Sequence, residues 1–150
     1  MPSLLLKFFD FANIISSSLS NFKSYDALLA ENLLRLGKKI DSKKKFLNFH
    51  RSLGNTNIGN PPGIIFDERK ITFDDCWSVE ELFFLKDKIR KNFNILEIGP
   101  GYGRTAQAII NSFDIRSYFM IDFKLTLKLT KKYLKKVLRK ENLFKLFFYS

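Results

Sequence analysis

At 150 residues, 45% hydrophobic and 27% charged, the sequence has the length and balance of one globular domain able to bury a core. A formal net charge of +11 raises nucleic acid or an anionic surface as partners, but from Lys124 onward nine Lys or Arg stand against Glu141 alone, so the excess belongs to one element. One Cys and one His exclude an internal disulfide framework and leave no zinc-ligand spacing, so no metal is expected and cytoplasmic residence is the default.

Residues 1–60 read as a mainly helical N-terminal region ending in a loop. Met1 to Ile15 is apolar, but it lacks a basic leader, and Lys7 and Asp10 interrupt it well short of a bilayer's thickness. It reads as an amphipathic helix, neither a signal nor a membrane span. A polar break follows from Ser16 through Lys23. Leu28, Leu29, Leu33, Leu36 and Ile40 then recur at helical spacing, giving an apolar face that covers a sheet or another helix. Lys38 to Lys45 is a charge run, read as a solvated helix end and loop. From Leu53 to Gly63 the composition turns to Gly, Asn and Pro; Pro61 and Pro62 forbid helix and bias Asn60 toward extended backbone.

Residues 61–93 form a connecting segment. Ile64-Ile65-Phe66 suggests a short strand, and Lys70-Ile71-Thr72-Phe73 follows it. Ser78-Val79-Glu80-Glu81 has the S-x-x-E pattern of a capping box, with Val79, Leu82, Leu85 and Ile89 on one side of a helix expected to run to about Asn92.

Residues 94–150 carry the informative stretch. Asn94-Ile95-Leu96-Glu97-Ile98 is an apolar run of strand type with a carboxylate near its end; it breaks into Gly99-Pro100-Gly101-Tyr102-Gly103-Arg104 and continues as a helix through Thr105 to Phe113. Glycines are needed where backbone takes positive φ or approaches a ligand too closely for a Cβ, and the amides of the following helix then face whatever lies on the turn. A dinucleotide fingerprint requires a third glycine where Arg104 stands, and a phosphate loop requires Gly-Lys-Ser/Thr after a longer loop. Both phosphate readings fail, leaving E-x-G-x-G-x-G. Ala106, Ile109, Ile110 and Phe113 form the inner face of a crossover helix leading to a second strand, Ser117 to Ile121, in a right-handed βαβ unit. Asp122 ends that strand about 20 residues beyond Gly101, the spacing at which an acidic residue reaches a cofactor ribose in doubly wound folds. A basic helix from Leu125 to about Lys140 buries Leu127, Leu134, Val137 and Leu138 beneath its lysines. Leu143 to Tyr149 reads as a third strand.

The stretch Glu97 to Arg104 resembles the first motif of the class I S-adenosylmethionine-dependent methyltransferases. Together with Gly59-Asn60-Pro61, Ile121-Asp122 and Lys132-Tyr133-Leu134, it is similar to a family of sugar O-methyltransferases. The resemblance implies an α/β fold in which N-terminal helices precede a partial Rossmann-like parallel sheet comprising only the first three strands of about seven. It implies S-adenosylmethionine as cofactor, bound by Glu97, Gly99, Pro100, Gly101, Tyr102, Gly103 and Asp122. Glu97 is expected to face the methionine amino group and Asp122 the ribose hydroxyls; the acceptor is expected to be a sugar or glycan. No catalytic residue is assigned: His50 is the single histidine, and a Cys76 and His50 nucleophile pair has no other support in the sequence.

Because only three strands are legible, the chain is expected to be a truncated copy, inactive by itself, that self-associates or takes a partner chain at the exposed sheet edge. Two other readings stay open: a non-catalytic remnant serving as an interaction partner, and a basic nucleic-acid-binding module using Lys124 to Lys145. For the latter only weak, sequence-independent binding is expected.

Overall fold

A computed structural model describes residues 28–29, 31–33, 35–36, 43–66 and 68–150 of the chain. The expected N-terminal amphipathic helix, the polar break after it and Ile40 lie outside them. The described residues between 28 and 36 are helical and bury Leu29, Leu33 and Leu36, whereas Leu28 is exposed, so the apolar face excludes it.

Only Lys43 to Lys45 of the lysine run lie within the described residues, and they open α1 (Lys43–Ser52), a helix that buries Phe46, Leu47 and His50. The Gly/Asn/Pro loop follows, and Asn60 departs from expectation. It sits at φ 48, in the left-handed region that Asn tolerates, with its amide oxygen accepting a hydrogen bond from Lys70 at 2.8 Å. Strands β1 (Ile64–Phe66) and β2 (Arg69–Ile71) pair antiparallel as a separate hairpin, Ile64 opposite Ile71.

Helix α2 (Phe73–Leu85) is capped at Thr72, well before the Ser78 of the S-x-x-E pattern. The Thr72 hydroxyl accepts from the Asp75 amide at 3.2 Å, and the Asp75 carboxylate accepts from the Thr72 amide at 2.8 Å. T-x-x-D thus performs the reciprocal capping expected of Ser78 and Glu81, which lie inside the helix. The helix also ends at Leu85 rather than near Asn92. Arg35 ties the N-terminal helical residues to it through a 2.9 Å ion pair with Glu80.

The remainder alternates strand and helix: β3 (Asn94–Ile98), α3 (Arg104–Ser112), β4 (Ser117–Ile121), α4 (Lys124–Val137), the short α5 (Lys140–Leu143) and β5 (Leu146–Tyr149). The three strands form one parallel sheet in the order β3-β4-β5, with Ile95 beside Tyr118 and Tyr118 beside Leu146. This is an α/β arrangement of Rossmann-like type. The basic helix starts one residue earlier and ends three residues sooner than expected, and the last strand starts at Leu146 rather than Leu143.

Successive right-handed crossovers in one direction along a sheet put both connecting helices on the same face. Tyr118 and Met120 point into that face and are fully buried, and the Lys131 ammonium lies 4.6 Å from the Phe148 ring there. On the opposite face Leu96 is 60% and Ile98 78% exposed, beside Phe119, Phe147 and Tyr149 stacked across the strands. No strand among the described residues pairs with the outer edge of β3. The core is continuous from Leu29, Leu33 and Phe46 through Val79 and Leu82 to Ile109, Met120 and Leu134.

Candidate functional site

The glycine turn leaves the sheet at the carboxyl end of β3, and hydrogen bonds hold it on both sides. The Gly99 amide donates to the Ile121 carbonyl at 2.9 Å, which brings the start of the turn level with Asp122 at the end of β4. From the helix side, the Thr130 hydroxyl on α4 donates to the Gly101 carbonyl at 2.6 Å.

The three glycines do different work. Gly99 and Gly101 lie at φ 73 and 55, and a Cβ built on either meets no atom within 4 Å, so their backbone borders open space. Gly103, at φ 104, is buried, and a Cβ there would come within 3.0 Å of Thr130 and 3.2 Å of Leu134. Its lack of a side chain serves helix packing: it lets α3 begin against α4. Pro100 is buried beneath the turn.

Tyr102 turns away from the open side. Its hydroxyl donates to Asp74 at 2.5 Å, its ring meets Tyr133 edge-to-face at 4.9 Å, and burial followed by the Asp74 carboxylate pushes its ionisation above the usual phenol range. Arg104 occupies the position of a third glycine and fastens α3 to α2. Its guanidinium donates to the Glu81 carboxylate at 2.9 and 3.3 Å and to the Ser78 hydroxyl at 2.8 Å. Thr105 donates to the same carboxylate at 3.1 Å.

Glu97 lies on the helix-covered face, where its Oε2 accepts from the buried Tyr118 hydroxyl at 2.9 Å. Burial raises its carboxyl pKa; the Tyr118 hydrogen bond opposes this, and the Glu81 charge adds to it. Asp122 is half-buried at the sheet's rim, one oxygen accepting from the Phe123 amide at 2.7 Å. The structure therefore brings Gly99, Gly101 and Asp122 to one open end of the sheet and turns Tyr102, Gly103 and Glu97 toward the packed helices.

The Gly/Asn/Pro loop is fastened to α3. Gln107 donates to the Leu53 and Asn55 carbonyls, each at 2.9 Å, and Asn111 donates to Leu53 at 2.8 Å. His50 stacks on Phe46, with ring centroids 6.2 Å apart, and its Nε2 lies 3.6 Å from Asp75. Burial pushes the Cys76 thiol up to about 12, which leaves no thiolate for a nucleophile pair.

Thr130, Asp74 and Glu81 contribute to the site without having been singled out as such. Ser78 and Glu81 share a helix face at a spacing that serves equally for a cap or for a landing place for Arg104. Thr130 lies in an otherwise Leu-and-Val stripe, where a buried hydroxyl needs an acceptor. No group of three His, Cys, Asp or Glu among the described residues could hold a metal ion, and no described helix is long and apolar enough to cross a membrane.

No family model matches the chain, and no curated protein does. Among solved structures, the chain is similar to coclaurine N-methyltransferase bound to N-methylheliamine and SAH, at 12% identity and a TM-score of 0.42, over 95% of this chain and 43% of that one. The chain spans less than half the length of that protein.

Proposed function

We propose that this chain binds S-adenosylmethionine at the glycine turn and serves methyl transfer to a sugar hydroxyl. One observation carries the cofactor reading: Gly99 and Gly101 present positive-φ backbone to open space at the carboxyl end of β3, level with Asp122 on the neighbouring strand. Ligands of open α/β sheets bind at this end of the strands. The turn also offers no lysine, and it has Arg104 where a dinucleotide fingerprint places its last glycine, which suits a phosphate-free nucleoside. The sugar acceptor rests on the motif resemblance alone.

When bound, the cofactor supplies an electrophilic methyl group; the residues here hold and orient. Gly99 and Gly101 leave room for a ligand against the backbone. Asp122 keeps a carboxylate oxygen for ribose hydroxyls while the other receives the Phe123 amide. Glu97 offers a carboxylate beneath the turn, steadied by Tyr118. Thr130 and Arg104 fix the turn from behind, so that its shape exists before a ligand arrives and little ordering is left to binding.

Calorimetric titration with S-adenosylmethionine tests the reading. Gly101→Leu should abolish binding while far-ultraviolet circular dichroism stays the same, and Asp122→Ala should weaken it by about 1–3 kcal/mol, the range for a lost hydrogen bond to a charged group. Unchanged affinity in both variants would overturn the assignment.

A further inference from the structure

Beside the glycine turn, between the Gly/Asn/Pro loop and helices α2, α3 and α4, lies a cavity of about 310 Å³. Leu53, Ile58, Pro61 and Leu129 form apolar walls, and the cavity also meets Tyr102 and Tyr133. Neither Gly99 nor Gly101 lines it, so it is separate from the open cradle described above.

Its electrostatics run against those of the chain. Asp74 and Asp75, from the first turn of α2, both line it; among the described residues that line it, Arg104 is the one cation. That guanidinium is already matched by Glu81 at 2.9 Å, with Asp74 a further 4.0 Å neighbour. Asp74, Asp75 and Glu81 therefore outnumber Arg104 in a protein of net charge +11.

Asp75 is 1% exposed, and its two oxygens differ. Oδ2 accepts from the Thr72 amide and hydroxyl at 2.8 and 2.9 Å, while Oδ1 accepts nothing. Burial raises this carboxyl, but the nearby His50 ring and the Thr72 donors outweigh it and hold the group below the ordinary value, so it is ionised at neutral pH. A buried carboxylate oxygen without a donor is costly. A hydrogen-bond donor would relieve it, and a positively charged one most strongly.

We propose that this cavity is a binding site for a small organic ammonium, its charged head toward Asp74 and Asp75 and its apolar body against Leu53, Ile58 and Leu129. Tyr102 and Tyr133 add aromatic surface of the kind that favours cations. The volume is at the small end of the range for ligand pockets, which limits the ligand to a few carbons beyond the amine. An anion is disfavoured, because Arg104, the only guanidinium at the cavity among the described residues, is committed to Glu81.

The test uses the full chain and two isosteric probes, 3-methylbutylamine and 3-methylbutan-1-ol, titrated at low salt with amide chemical shifts as readout. The amine should bind saturably, with shifts centred on Tyr102, Leu129 and Tyr133. The alcohol should bind at least about tenfold more weakly, the worth of one hydrogen bond to a charged group. Asp74→Asn should weaken amine binding by a similar factor, and Leu129→Trp, at a half-exposed position, should block it by filling the cavity. Asp75→Asn disturbs the cap of α2, so it is not the deciding variant. S-adenosylmethionine affinity should stay unchanged in Leu129→Trp, which separates this site from the cofactor reading. Equal affinity for amine and alcohol, no saturable binding, or full amine affinity in both variants would overturn the proposal.

Discussion

Thr130 donates its hydroxyl to the carbonyl oxygen of Gly101 at 2.6 Å, so the glycine turn is held by a helix that follows the next strand. The Thr126 carbonyl, 2.8 Å away, competes for the same proton. Thr130 is fully buried, and replacing it by Val keeps its shape while leaving the Gly101 carbonyl without that donor. Thr130→Val is expected to cost about 1–3 kcal/mol of stability in a urea titration, the penalty for a polar group deprived of its partner. If it also lowers S-adenosylmethionine affinity, the turn's shape depends on that bond.

The glycines separate by substitution. At Gly103 a methyl group meets Thr130 and Leu134 at 3.0 to 3.2 Å and also forces φ 104 on an L-residue, so Gly103→Ala combines steric clash with backbone strain. At Gly101 the methyl meets nothing, and only the left-handed conformation, at about 1–2 kcal/mol, opposes it. Gly103→Ala should therefore lower the thermal midpoint clearly more than Gly101→Ala, and Gly101→Ala should do its damage in ligand binding. Equal loss of stability in the two would contradict the packing described.

The two faces of the sheet give a further contrast. Met120 is fully buried beneath the helices and Ile98 is 78% exposed on the other side, although both belong to apolar strands. Met120→Ala should cost about 2–5 kcal/mol, and Ile98→Thr should change stability by no more than about 0.5 kcal/mol. Chemical denaturation of both variants checks the assignment of the faces.

That contrast also shows what the sequence makes legible. The glycine turn, the flanking strands and the crossover helix follow from short-range pattern: an apolar run, then glycines at alternate positions, then helical periodicity. The lysine-rich α4 was legible for the same reason, because Leu127, Leu134 and Leu138 recur along one stripe and all are buried. The start of α2 was not. Ser78 with Glu81 fits the S/T-x-x-E/Q capping pattern and Thr72 with Asp75 does not, yet the cap forms at Thr72, one residue after the hairpin ends at Ile71. Nor could spacing show that Gly103 faces α4 while Gly99 and Gly101 face space, since all three share one motif and differ only in what tertiary packing brings to them. The fold class was thus readable locally, whereas the division of roles within the turn was not.

Glu97 and Tyr118 supply the last prediction, which concerns pH. The Glu97 carboxyl is raised above 4.5, first by burial and further by the Glu81 charge, against the opposing Tyr118 hydrogen bond. A carboxyl with a folded-state pKa above its unfolded value binds more protons when folded. Stability should therefore be greatest on the acid side and fall as pH rises from the unfolded value through the folded one. Asp75 acts in the opposite sense: its folded pKa lies below 3.8, so its contribution is present above that value and is lost as pH falls through the folded one. The two act on different sides of the carboxylate range and can be separated. Glu97→Gln keeps an acceptor for Tyr118 but removes the charge, so it should stabilise the chain at neutral pH and abolish the decline above pH 4.5, while leaving acid unfolding below 3.8 in place. Urea titrations of both proteins across this range would show the two curves converging toward acid and separating toward neutrality. Parallel curves would mean that burial of Glu97 carries no electrostatic cost and that its carboxylate is solvated in the folded chain.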